Sequence, residues 1–445
     1  MKFVSTRNGD PVSLDQAIAN GLARDGGLYV PEELPRFSAD DFPPGGRIEE
    51  IARILLAPFF QGSGLQEEMP TILAETFSFP IPLRRLPIKD GSLQMLELFH
   101  GPTAAFKDVG ARFLAACLSR LERHGPDPWT ILVATSGDTG GAVAAAIDGR
   151  PGMRVVVLYP EGRISDRQAH QLTCWSDNVL SLAVRGTFDD CQALVKSAMD
   201  DSVLTAQFRF SSANSINVGR LLPQCTYYAW AGLTHYRETG GYPGFIVPTG
   251  NLGNGLACLL ARQMGLPVGD VVFATNANRL VVDYLAGAEW APDAGKPTLA
   301  SAMDVGNPSN MERVMRLFGD RARIAEQVTA HSVSDEEIAA EISRSYREFG
   351  IAVCPHTATA LHVYRGLDEG ARRDSNWIVV ATAHPAKFEQ IVEPLIASSV
   401  PLPDALGDLL SRPRRFSEID PTLEDLRTAM IASLRLDGSA PGGHK

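Results

Sequence analysis

At 445 residues the chain is longer than one hydrophobic core ordinarily serves, so two or three domains are expected. The net charge of -11, with no basic run interleaved with aromatics, argues against a nucleic-acid partner. The six cysteines include no C-x-x-C pair and mostly sit in apolar surroundings, so they read as reduced core residues with neither a zinc site nor a disulfide framework.

The start, Met1 to Asn8, lacks the apolar region of a signal peptide, and no apolar run approaches the roughly 20 residues of a membrane span. A cytoplasmic protein without membrane contact is expected. Residues 1–92 are rich in turn formers, notably Asp25-Gly26-Gly27 and Pro43-Pro44-Gly45-Gly46, with helical patterns at 14–23 and 48–60. They read as an N-terminal domain, closed by an Asp90-Gly91 turn before a strand at 93–99.

Strands and helices then alternate. Apolar runs at 129–134, 153–159 and 179–184 read as strands, with helices at 141–147 and 188–199 between and after them. The run at 245–248 leads through a glycine loop into a helix at 255–264, followed by a strand at 271–275. Ser334 and Glu337 form a capping box that opens a helix through 349, and a late strand is predicted at 377–381. This order predicts right-handed βαβ units and an open α/β architecture with mostly parallel twisted sheets. The division expected is a smaller α/β domain over 93–235, a larger one over 236–400, and a C-terminal extension over 401–445 whose last dozen residues are flexible. No internal repeat or low-complexity segment is present.

Lys107 precedes an amphipathic segment in which Phe113, Leu114, Cys117, Leu118 and Leu121 recur at three- and four-residue spacing, so it lies near a helix N-terminus. There the helix dipole and partial burial both disfavour the ammonium, which suits an amine that must attack a carbonyl. The alternative reading is a solvated lysine in a turn. Pro248-Thr249-Gly250-Asn251-Leu252-Gly253-Asn254-Gly255 joins a strand to a helix and fits a phosphate cradle, although it matches neither the P-loop nor the dinucleotide fingerprint. A turn that binds nothing stays open. Thr135-Ser136-Gly137-Asp138-Thr139-Gly140 suits a carboxylate or phosphate, whereas the charge of Asp138 would repel one, so that side chain is expected to cap the helix or orient a hydroxyl. Residues 211–220 and 304–313 are polar stretches that read either as anion sites or as helix caps. Thr382 ends the late strand at the carboxyl edge of a sheet, where open α/β folds bind ligands.

In this order the motifs resemble the fold-type II enzymes that use pyridoxal 5′-phosphate (PLP), and within them the threonine synthases. The likeness is carried by Ser5-Thr6-Arg7, residues 25–31, Phe99-His100-Gly101-Pro102-Thr103 with Lys107-Asp108, residues 135–140, Asn214 to Asn217, residues 250–254, Pro308-Ser309-Asn310 with Glu312-Arg313, Cys354 to Ala358, and Thr382 to Phe388. The resemblance implies that Lys107 forms the Schiff base with PLP, that Gly250, Asn251, Leu252, Gly253 and Asn254 hold its 5′-phosphate, and that Thr382 meets the pyridine nitrogen. It also implies that Ser136, Gly137 and Thr139 grip a substrate α-carboxylate. Arg112, Asn217, Arg220, Ser309 and Arg313 are the candidates for the substrate phosphate. The implied reaction turns O-phospho-L-homoserine and water into L-threonine and phosphate, with Lys107 moving protons at Cα and Cβ. Rival readings are a related PLP lyase such as threonine dehydratase, and a non-catalytic PLP-binding protein. A monomer or homodimer is expected.

Overall fold

The computed structural model describes residues 1–88, 92–121, 128–374 and 376–434. The Asp90-Gly91 turn and the tail beyond 434, for which sequence expectations were stated, lie outside the described residues.

Thirteen described strands form three sheets. β1 (Phe3–Ser5) and β2 (Tyr29–Pro31) pair antiparallel. A six-stranded sheet runs in the order β11-β10-β9-β12-β4-β3, built from β3 (Leu83–Arg85), β4 (Ser92–Glu97), β9 (Gly244–Pro248), β10 (Val271–Thr275), β11 (Thr329–Ser332) and β12 (Asn376–Ala381). All its pairings are parallel except β3 with β4. A five-stranded, wholly parallel sheet runs β13-β7-β6-β5-β8, from β5 (Trp129–Ala134), β6 (Met153–Pro160), β7 (Val179–Val184), β8 (Arg209–Ser212) and β13 (Ser417–Ile419). The central strands β5, β6 and β7 are largely buried runs rich in Val, Ile and Leu, which makes them legible as strands, whereas β8 and β13 are short, partly exposed and carry no such run.

Sheet membership departs from the sequence division in two places. The strand expected at 93–99, assigned with 93–235, pairs instead with β12 over six residues, Ser92 with Asn376 through Glu97 with Ala381. The extension over 401–445 supplies β13 to the five-stranded sheet. Pairing between distant segments leaves no local trace in composition or periodicity, so neither could be read from the chain.

Local rules account for the helix ends. Ile48–Phe60 and Asp335–Phe349 form as expected; in the latter, Ser334 N–H donates to Glu337 Oε2 at 2.8 Å, the Glu337 amide donates back to Ser334 Oγ at 3.3 Å, and Gly350 closes the helix in the left-handed conformation. The helix expected over 14–23 stops at Asn20, where Gly21 takes φ +70°. Helices expected from 141 and 255 begin earlier, at Asp138 and Gly253, with glycines inside the first turn. No described helix is long and apolar enough to cross a membrane. The six cysteines are buried and unpaired.

Arg313 helps to fasten the N-terminal sheet to the rest, alongside the bonds of Thr6 and Arg7 to Glu312. Arg313 is completely buried; Nε donates to the Tyr29 carbonyl at 2.9 Å, Nη1 to Ser215 O at 3.2 Å and Asn310 Oδ1 at 2.7 Å, and Nη2 to Ile216 O at 2.5 Å. Arg313→Met should lower stability by about 3–5 kcal/mol in urea unfolding, because it strands several buried carbonyls. A loss below about 1 kcal/mol would contradict this role.

Candidate active site

The β4–β12 ladder does not stop at Ala381. Leu98 N–H donates to Ala381 O, Phe106 N–H to Thr382 O at 2.8 Å, and His384 N–H to Ala104 O at 3.0 Å, with Ala105 bridging Ala383. Ala104 pays for the tight path with φ +54°, an uncommon conformation for a residue with a side chain. This stitching sets Lys107, the first residue of the helix Lys107–Leu121, beside Thr382. β9, next to β12 on its other side, ends in the glycine loop. From the five-stranded sheet, β5 delivers Thr135 to Thr139 and β8 delivers Asn214 to Ile216. The loops converge on one cavity of about 460 Å³, lined by Lys107, Ser136, Asp138, Thr139, Arg220, Gly250, Asn251, Gly253, Asn254, Ser309, His356 and Thr382, among others. Each sheet reverses its strand order at this place, β9 lying between β10 and β12 and β5 between β6 and β8, which is the topological switch where such folds bind ligands.

The glycine loop is built as an anion cradle. Leu252 sits in the left-handed conformation at φ +60° and caps the helix Gly253–Gln263. The amides of residues 250–255 donate to no acceptor among the described residues. A Cβ at Gly250 would stand 2.6 Å from Met303 Cα, so only glycine lets the turn Ser301–Met303 close over the loop. That turn is tied down by His356, whose Nε2 accepts the Ala302 N–H at 3.1 Å. Asn251 Oδ1 accepts the Ser309 amide, and the Asn251 carbonyl accepts Asn310 Nδ2.

Charge is concentrated beside the cradle. Burial lowers the pKa of Lys107 from the ordinary lysine value, Asp138 opposing and Lys387 and Arg220 adding to the fall. Asp138 Oδ2 lies 3.9 Å from Lys107 Nζ, and Asp138 Oδ1 lies 2.8 Å from Lys387 Nζ. Burial alone would raise the Asp138 pKa, but Lys387 and then Lys107 hold it well below the usual carboxylate range. Asp138 therefore neither caps its helix, whose N-cap is Gly137, nor orients a hydroxyl as expected; it is held by lysines. Burial pushes His356 down to about 4 and Arg220 down to about 10, so at neutral pH the former is neutral and the latter cationic.

Of the residues singled out in the sequence, the cavity gathers Lys107, Ser136, Thr139, Arg220, Gly250, Asn251, Gly253, Asn254, Ser309 and Thr382. Gly137 and Leu252 shape the two loops from behind: Gly137 has φ +137° and a Cβ there would strike Gln168, while Leu252 is fully buried. Three candidates for the substrate phosphate are not brought in. Asn217 caps the helix Val218–Leu221, its Nδ2 on the Ile18 and Ser212 carbonyls and its Oδ1 on the Gly219 amide. Arg112 holds Glu75 O and Ser78 Oγ, and Arg313 is the strut already described. Lys387, buried beside the cavity, is not singled out by the sequence, because a lysine next to a proline turn carries no local sign of burial.

Comparison with known proteins places the whole chain. The family model described as "Pyridoxal-phosphate dependent enzyme" matches residues 76–383, and those described as "Threonine synthase N terminus" and "Threonine synthase, C-terminal" match 2–77 and 357–430. The chain is 37% identical over 424 residues to threonine synthase of Escherichia coli, covering 95% of this chain and 97% of that protein.

The chain belongs to the threonine synthase family.

It is also 40% identical to the Serratia marcescens threonine synthase over 402 residues, 89% of this chain and 91% of that one. The PLP-bound threonine synthase of Brucella melitensis superposes with a TM-score of 0.89 at 33% identity, over 98% of this chain and all of that structure. The residues present fit the family's cofactor. A buried lysine whose pKa is lowered by desolvation, a cradle of undirected amides and the Thr382 side chain border one cavity of about 460 Å³.

Buried His356 and half-buried His384 give the fold an acid limit. His356 and His384 both sit at about 4 instead of 6.5, so between those values the unfolded chain binds protons that the folded chain does not, and stability is lost as pH falls through that window. Each contributes up to about 3 kcal/mol. Urea midpoints at pH 7 and pH 4.5 should show the fall, and His356→Gln should reduce it; an unchanged pH dependence in that variant would reject the assignment.

Proposed function

We propose that the protein converts O-phospho-L-homoserine and water into L-threonine and phosphate, with Lys107 as the residue that holds PLP. The carrying observation is that Lys107, Thr382 and the free amides of residues 250–255 meet around one cavity in a chain that matches threonine synthases along nearly its whole length. The reading includes a cytoplasmic location and a monomer or homodimer.

When bound, PLP supplies a carbonyl for the substrate amine and an electron-withdrawing ring that acidifies the neighbouring C–H bonds. The chain supplies the rest. The amides of Gly250, Asn251, Leu252, Gly253 and Asn254, at the start of an eleven-residue helix, hold the cofactor phosphate. The Thr382 side chain would meet the ring nitrogen, and a neutral hydroxyl there would leave that nitrogen less cationic than a carboxylate would, which suits elimination followed by replacement. Ser136 and Thr139, at the start of the helix Asp138–Ile147, bind the substrate α-carboxylate with their hydroxyls and amides, while Gly137, its amide donated to Thr135 Oγ1, shapes the loop from behind.

Arg220 and Ser309 receive the substrate phosphate. Arg220 is 4% exposed, holds Ala213 O through Nη1, and its Nε has no partner among the described residues. Such a guanidinium is a cation with donors to give, and binding a phosphate there offsets its buried charge. The Lys107 amine, when free, would serve as the base at the substrate Cα and carry the proton between Cα and Cβ. Burial lowers its pKa, which enlarges the share of neutral amine relative to a solvated lysine.

Two measurements test the proposal. Incubation with O-phospho-L-homoserine should yield threonine and phosphate in equal amounts, and Lys107→Ala should abolish both that turnover and the visible absorbance of bound cofactor; release of a 2-oxoacid in place of threonine would reject the reading. Arg220→Lys should raise KM for the phosphorylated substrate by about 10- to 100-fold, the loss expected for a charged hydrogen-bond pair, while leaving the visible absorbance in place.

A further inference from the structure

The Asp138 carboxylate stands between two lysines, and only one of them is explained by cofactor chemistry. Lys387 rises from the turn Pro385–Phe388, just after Thr382, and is 1% exposed. Its Nζ donates to Asp138 Oδ1 at 2.8 Å and to the Thr103 carbonyl at 2.7 Å. The anchor at Thr103 is itself fixed. Its carbonyl also accepts Gln171 Nε2 at 3.1 Å, while its amide and hydroxyl donate to the Asp108 carboxylate at 2.9 and 2.6 Å. Burying a full ammonium this way is unfavourable unless its charge is matched, and the matching group is the carboxylate that also faces Lys107.

We propose that Lys387 is a positioning residue for Lys107: it carries the counter-charge of Asp138 and fixes one carboxylate oxygen, so that the other oxygen receives a proton-bearing Lys107 without locking it as an ion pair. A lone buried carboxylate 3.9 Å from the amine would stabilise the ammonium and withdraw the nucleophile. With Lys387 in place the pair is close to neutral. Asp138 then accepts a hydrogen bond from the released amine but does not trap it. The other ionisable groups facing the cluster do not replace this balance. Arg220, from the helix Val218–Leu221, is cationic and adds to the effect of Lys387; His356, from the helix Pro355–Gly366, is neutral at working pH; and Asp108, on the lysine's own helix, is directed onto Thr103.

The inference rests on the reading that Lys107 is the cofactor lysine, and the test separates the two. The rate at which cofactor-free protein regains visible absorbance on addition of PLP is measured against pH, which reports the neutral fraction of the Lys107 amine without requiring turnover. Lys387→Met should move the midpoint of that profile up by about one to two pH units, Asp138→Asn should move it down, and Lys387→Arg should keep it near the parent value. The opposite shifts distinguish an electrostatic role from a merely structural one, and Asp138→Asn keeps the inference testable if Lys387→Met does not fold. An unmoved midpoint in either folded variant overturns it. Visible absorbance surviving in Lys107→Ala would overturn the underlying reading instead.

Discussion

The structure depends on the parallel pairing of β4 with β12. Six residue pairs join Ser92–Glu97 to Asn376–Ala381, and the continuation through Ala105 and Ala383 carries that register into the loop before Lys107. A slip of one residue would turn every side chain of the strand to the opposite face. Between the two strands the chain leaves the six-stranded sheet, builds most of the five-stranded one, and returns at β9. The site lies where those departures and returns bring the carboxyl ends of both sheets together, so the sheets serve as a frame for loops that have little regular structure of their own.

Within that frame the cavity is shaped by close approach and by charge. Gly250 admits the Ser301–Met303 turn against the cradle, and His356 holds the turn from the other side. The same histidine borders the Asp138, Lys107 and Lys387 group, so packing over the cradle and electrostatics at the amine are neighbours. Buried polar groups of this kind are tolerated when nearly all their donors and acceptors are satisfied. Here Thr103 does much of that work, accepting from Lys387 and Gln171 and donating to Asp108. The Nε of Arg220 is an exception: it packs against Gly110 and has no partner among the described residues, while the residue itself lines the cavity.

Much of this was written locally. The strands β5, β7 and β10 coincide with their apolar runs, and the capping box at Ser334 and Glu337 marks its helix to the residue. The ordered motifs carried the likeness to fold-type II enzymes, and Lys107, Thr382 and the glycine loop do share a cavity. Where the reading failed, the deciding contact was distant. Asn217 and Arg313 look like ligand-binding side chains in the sequence, but each is bonded to carbonyls from a segment far along the chain, Ile18 and Tyr29 respectively. Asp138 looked like a cap because its true partner lies some 250 positions later.

The sequence by itself determined the alternation of elements, the anion-ready backbone of the glycine loop and the lysine at a helix start, since each follows from propensity, periodicity and turn chemistry over a few neighbouring residues. Only the tertiary structure decided which sheet owns β4, which arginine opens into the cavity and which is a strut, and which charge balances Asp138. Those are matters of burial and of partners brought together by folding. A side chain's desolvation and its counter-charge are properties of its surroundings, and the surroundings of a buried ionisable group are assembled from segments that the linear chain keeps apart.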